Sequence, residues 1–207
     1  MKTAPRFPCG RVVVLCATAL SLAAGVWAEN LLPDSMFPSD RGARLPPGWH
    51  LPFGADAATD PSVTWGGRAS LRMSAAEGPV WHMASHVVPG IQAKTPYTVS
   101  AWVKTRDLVP GGLAYISLNC FSGAKRLAAN DSPVKLAGTK DWTRLVFTLP
   151  ELPAGTTEAR FVFCLYGGGT AWCTQPQVEA GAEATPYAPS PQDAARAARR
   201  ARQAAAA

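Results

Sequence analysis

A two-residue hydrophobic period, cut into short lengths by glycine and proline, constrains this chain more than any other feature. In residues 97–104, Val99, Ala101 and Val103 alternate with Thr98, Ser100, Trp102 and Lys104. In 114–121, Ile116, Leu118 and Cys120 oppose Tyr115, Ser117, Asn119 and Phe121. In 143–149, Leu145, Phe147 and Leu149 oppose Arg144, Val146 and Thr148; in 159–166, Phe161, Phe163 and Leu165 oppose Arg160, Val162, Cys164 and Tyr166. Alternation of this kind fits a strand with one buried and one open face, so each first set belongs to a core. Less regular runs at 62–65, 70–73, 80–88 and 171–179 complete eight candidate strands. Turn chemistry separates them, as at Gly66-Gly67, Pro89-Gly90, Pro110-Gly111-Gly112, Gly138-Thr139-Lys140 and Gly167-Gly168-Gly169. Residues 30–60, rich in Pro and Gly, read as an irregular wrap, and no stretch before Ser190 carries a helical stripe. The expected class is all-β, a sandwich or barrel.

Both ends differ from this middle. Lys2, Arg6 and Arg11 precede an apolar run over 12–24, and Val26-Trp27-Ala28 offers a cleavage site before Glu29. The run is too short to span a bilayer, so 1–28 reads as a secretory leader rather than an anchor. The expected product is secreted, extracellular or periplasmic, with no membrane span. Residues 29–190 form the sandwich and 191–207 an Ala/Arg-rich tail. Ser190-Pro191-Gln192-Asp193 predicts a helix start there: a capping serine, proline at the first position and an acid at the third. The helix lacks an apolar face wide enough to dock, which suggests a solvated basic tail or a contact for an anionic surface. Leader and tail each contribute +3 to the net charge of +6, and 13 basic residues face 13 acidic ones in between. A neutral domain gives no case for a nucleic-acid partner.

Several short motifs resemble carbohydrate-binding modules of families four, nine and twenty-two. They are Asn30-Leu31-Leu32-Pro33-Asp34, Pro47-Gly48-Trp49, Val88-Pro89-Gly90, Tyr97 through Thr105, Asp141-Trp142-Thr143 and Gly169-Thr170-Ala171-Trp172. The closing Gln177-Val178-Glu179-Ala180-Gly181 and Ala184-Thr185-Pro186-Tyr187 are similar to the last strand and exit of those domains. The resemblance implies a galactose-binding-like jelly roll of two antiparallel sheets. It further implies a polysaccharide or glycan partner and a non-catalytic, accessory role beside glycoside hydrolases. Such modules hold a structural calcium through an acid after the N-terminal Phe and an Asp pair after the last Trp. Here Pro38 follows Phe37, and Cys173-Thr174-Gln175 follows Trp172, so the acidic oxygens that a hard cation prefers are missing at both places, leaving only backbone carbonyls, and no cofactor is expected.

Sugars present C–H faces and a rim of hydroxyls, so a site needs exposed aromatic plates beside amides, guanidinium or carboxylate. If jelly-roll order places 97–104, 114–121 and 159–166 in one sheet, their outward faces present Trp102, Lys104, Tyr115, Asn119, Phe121, Arg160 and Tyr166 together. These are the expected ligand-binding residues. The rival is a structural or adhesive domain in which the rings merely cover the sheet; a small secreted glycosidase ranks third. His82 and His86 lie on one strand face about 13 Å apart at the usual rise, too far to share a metal ion. Glu151 and Glu158 flank a Pro/Gly/Thr-rich loop as solvated charges, and no serine elbow, Cys–His signature or phosphate loop is found. Cys120 reads as a small buried hydrophobe. A tight hairpin at 167–170 would pair Cys164 with Cys173, whereas jelly-roll connectivity sends those two strands to opposite sheets.

The calcium expectation is tested by heating the purified protein with and without a chelator. The thermal midpoint should hardly move; a drop of more than about 5 °C, roughly 2 kcal/mol at this size, contradicts it.

Overall fold

The computed structural model describes residues 28–37, 45–51, 56–76 and 78–206. Residues 1–27 of the expected leader, and Pro38, lie outside them. Nine strands run in order: β1 (Asp56–Trp65), β2 (Arg68–Ala75), β3 (Trp81–Val88), β4 (Tyr97–Arg106), β5 (Leu113–Ser122), β6 (Lys125–Asp131), β7 (Lys140–Leu149), β8 (Glu158–Tyr166) and β9 (Gly169–Ala180). One helix, α1 (Pro191–Ala205), follows. The strands form two antiparallel sheets, β1-β2-β9-β4-β7 and β3-β8-β5-β6. The chain is a two-sheet β-sandwich of the jelly-roll type with a short C-terminal helix.

The alternation read from the sequence matches the core. Val99, Ala101 and Val103 of β4, with Leu145 and Phe147 of β7, pack from one sheet against Ile116, Leu118 and Cys120 of β5 and Phe161, Phe163 and Leu165 of β8 from the other. The N-terminal wrap closes one flank. Leu32, Phe37 and Trp49 are buried, and the Trp49 ring meets Phe37, His86 and Phe161 edge-on at 5.5–5.9 Å. Such edge-to-face contacts add to the apolar area they bury.

Sheet membership departs from the expectation in one respect. β4 belongs to the five-stranded sheet, while β5 and β8 lie in the four-stranded one. The chain changes sheets between β8 and β9: Tyr166 pairs with Trp81 and Leu113, and Gly169 pairs with Ala75. The hairpin that would join Cys164 to Cys173 is therefore absent, and Cys120, Cys164 and Cys173 are all free thiols. Gly169 makes the crossing possible. Its φ is +118°, and a Cβ there would lie 2.6 Å from the Asp107 carbonyl oxygen and 2.8 Å from the Leu108 Cα.

The outward face of β9 is roofed by the segment that returns from it. Glu179, fully buried, accepts from the Thr185 N–H (2.9 Å) and hydroxyl (2.5 Å), while Gln177 accepts from the Ala188 N–H (2.9 Å). Asn30 ties this roof to the N-terminus, donating to the carbonyls of Pro176 and Ala188 and accepting from the N–H groups of Leu32 and Val178. These bonds satisfy polar groups whose burial alone would be costly.

α1 begins where the sequence predicts, with the Ser190 hydroxyl accepting from the Asp193 N–H. It docks through polar anchors in place of an apolar face. Asp193 accepts from the Ser35 N–H (2.9 Å) and hydroxyl (2.8 Å), and Arg196 pairs with Asp34, which also meets His86 at 3.3 Å. Burial alone would raise the Asp34 carboxyl; the hydrogen bonds from His86 and Arg196 outweigh it and hold the group below its ordinary value.

Gly169→Ala should cost about 2–4 kcal/mol in urea unfolding, from positive-φ strain plus a backbone clash. A loss below ~0.5 kcal/mol would contradict the close passage over Asp107 and Leu108.

Candidate functional site

The outward face of the four-stranded sheet is laid out by strand register. Cross-strand rows run Trp81–Tyr166–Leu113, Met83–Cys164–Tyr115, Ser85–Val162–Ser117–Asp131 and Val87–Arg160–Asn119–Ala129, with Glu158, Phe121 and Arg126 at the far end. From Leu113 to Phe121 this face extends about 27 Å at the usual strand rise.

Three hollows follow one another along this face. The middle one, of about 610 Å³, is lined by Trp81, Met83, Tyr115, Asn119, Arg126 and Asp131, among others. Toward β6 and Phe121 a second, of about 400 Å³, shares Met83, Asn119 and Arg126 with it and adds Phe121 and Arg160. At the opposite end a third, of about 410 Å³, lies between Pro79, Pro110 and Tyr166 and shares Pro79 with the middle one. Together they make a groove open to solvent along the strands.

Trp81 stands at the head of this groove, 42% exposed. Its ring leans on Tyr166 at 4.4 Å and meets Tyr115 perpendicularly at 5.9 Å. Tyr115 is buried, with the Lys135 ammonium 4.1 Å from its ring centre. Burial raises the Tyr115 hydroxyl, and the neighbouring Cys164 and Asp131 add to the rise. Burial likewise pushes the Cys164 thiol up to about 12. Both groups stay protonated at neutral pH, so Cys164 is no thiolate nucleophile. At the other end the Arg160 guanidinium lies 4.9 Å over the Phe121 ring, and its Nε donates to Glu158 at 2.6 Å. Asn119 accepts from the Ser117 hydroxyl through Oδ1 at 3.0 Å, which leaves its amide N–H groups for the groove.

Five of the expected ligand residues thus share one surface: Tyr115, Asn119, Phe121, Arg160 and Tyr166. Trp102 and Lys104 do not, because β4 lies in the other sheet. Trp102 packs on Trp65 at 4.3 Å, with Trp142 6.3 Å from Trp65, and Lys104 pairs with Asp141 at 2.6 Å. Period two correctly gave their outward orientation; sheet membership is what differs. Sequence reasoning missed Trp81, Met83, Arg126 and Asp131. Trp81 and Met83 were within reach, since His82, Ala84, His86 and Val88 form the buried alternate set of β3. Arg126 and Asp131 sit on β6, a polar edge strand without a hydrophobic period. Among the described residues no cluster of three or more His, Cys, Asp or Glu side chains is arranged to hold a metal ion.

No protein-family model matches this chain, and no curated protein matches it by sequence. Solved structures share its fold. A xylan-binding domain of carbohydrate-binding family 22 superposes with a TM-score of 0.58 at 14% identity, covering 76% of this chain and 99% of that one. A cyclase from Fischerella sp. TAU, solved with 4-(1H-indol-3-yl)butan-2-one, gives 0.55 at 13% identity, covering 77% and 100%. The enzymatically active domain of bacteriophage CBA120 tailspike protein 4 gives 0.58 at 10% identity; the match covers 73% of this chain and spans 21% of that one. At these identities the likeness establishes the jelly-roll fold.

Trp102→Ala should destabilise the protein by about 1–2 kcal/mol through the lost Trp65 stacking, as read by denaturant unfolding. A variant of unchanged stability that has lost ligand would return Trp102 to the binding face.

Proposed function

We propose that this protein is a carbohydrate-binding module, exported and non-catalytic, that holds a polysaccharide chain in the groove over β3, β8, β5 and β6. The observation that carries this reading is the Trp81–Tyr166–Tyr115 cluster at the head of a groove whose floor also bears Asn119, Ser117 and Arg160. Indole and phenol faces stack on the C–H faces of sugar rings, while amide, hydroxyl and guanidinium groups meet the hydroxyl rim. The open, elongated shape suits a chain threaded past the plates better than a small enclosed ligand. Xylan is the ligand of the family 22 neighbour and the natural first candidate here.

The ionisable groups argue for binding over hydrolysis. Asp131 is held by Lys135 at 2.8 Å and Glu158 by Arg160 at 2.6 Å. An accessory role beside a glycoside hydrolase is consistent with such a module.

Glycan-array screening followed by calorimetry on the purified protein tests this. A polysaccharide of the xylan type should bind, and Trp81→Ala should cost about 1–3 kcal/mol of binding with little loss of stability. Binding by Trp81→Ala as tight as wild type removes the groove reading; no glycan bound at all leaves the structural or adhesive domain.

A further inference from the structure

We infer that the groove selects an acidic polysaccharide, one carrying uronic acid carboxylates, with the carboxylate seated between Arg126, Arg160 and Asn119. This deepens the binding reading above and rests on it. Charge pairing within the groove is the starting point. Asp131 is neutralised by Lys135 and Glu158 by Arg160. Arg126 pairs through its backbone with Phe121 on β5, but among the described residues its guanidinium has no ion pair or hydrogen bond, although it lines both the middle hollow and the one toward Phe121. One uncompensated guanidinium therefore remains at the junction of the two. The domain between leader and tail is balanced at 13 basic and 13 acidic residues, so this excess is local and does not reflect a basic surface.

The hydrogen-bonding character of the junction points the same way. Asn119 uses its oxygen on the Ser117 hydroxyl, lines both hollows, and has no partner for its amide N–H groups among the described residues. Arg160 is fixed by its Nε bond to Glu158 and by the Phe121 ring beneath it, and its terminal nitrogens are donors only. Arg126 brings a second donor-only fork. A sugar hydroxyl gives as well as accepts, so a site built from donors matches it only in part. A carboxylate accepts through both oxygens and fits a guanidinium bidentately. Away from Phe121, the middle hollow is aromatic and apolar at Val80, Trp81 and Tyr115. Neutral rings of the chain sit there, and the acidic sugar lies toward Phe121.

The test compares a glucuronic-acid-bearing xylo-oligosaccharide with the same compound after reduction of its carboxyl to an alcohol, by calorimetry at low and at 0.5 M salt. The acidic form should bind roughly tenfold more tightly at low salt, in line with a charge-assisted pair, and added salt should erode that preference. In Arg126→Gln the ratio of the two affinities should fall toward one; a merely structural role for Arg126 would weaken both and keep the ratio. A sulfated xylo-oligosaccharide separates carboxylate recognition from general attraction to anions, and equal gain from sulfate overturns the uronic acid assignment. Equal affinity for acidic and reduced forms overturns the acidic preference and leaves the groove intact. Failure of every oligosaccharide to bind overturns the binding reading itself, and this inference with it.

Discussion

The two-sheet layout depends on one close passage of backbone, Gly169 over Asp107 and Leu108. With a Cβ at that position only 2.6 Å from a carbonyl oxygen, no other residue lets the chain cross there without displacing the loop before β5. The crossing carries the chain from β8, central in the four-stranded sheet, to β9, central in the five-stranded one. Tyr166 therefore ends on the open groove, while Trp172, six residues on, lies on the outer face of the opposite sheet with its indole N–H donating to Asp60 at 2.9 Å. Had β8 and β9 closed as a hairpin, the two faces would not be separate.

Separation gives the two outer faces different fates. On β9 the polar side chains Gln177 and Glu179 are covered by the returning chain, which supplies partners for them from Thr185 and Ala188. That face is closed by hydrogen bonds, and the Asn30 amide ties the closure to the N-terminal segment. On β8 and β5 nothing comparable lies over the sheet among the described residues. Its aromatic and polar side chains line a groove, and the exposed Trp81 ring is the kind of apolar surface that stays open where a ligand covers it.

Period two carries information about faces and little about partners. It placed Val99 to Val103, Ile116 to Cys120 and Phe161 to Leu165 inside, because a one-residue slip would turn each apolar set to water. It could not say that β4 pairs with β7 and β9, since pairing across 35 to 83 residues leaves no local mark. Trp102 and Lys104 were thus given the right side of the wrong sheet. β6 was illegible for another reason. As an edge strand half in water it keeps only Leu127, Ala128 and Ala129 as apolar residues, with no alternation around them. The resemblance to carbohydrate-binding modules supplied the fold, while the irregular wrap read over 30–60 conceals the start of β1 at Asp56.

Ligand bound by this sandwich should lie along the four-stranded sheet. Titrating an isotopically labelled sample with a xylo-oligosaccharide while recording backbone amide and indole shifts tests it directly. The largest changes should fall on β3, β5, β6 and β8, with the Trp81 indole foremost and the Trp65, Trp102 and Trp142 indoles still. Shifts confined to β4, β7 and those three indoles would contradict it.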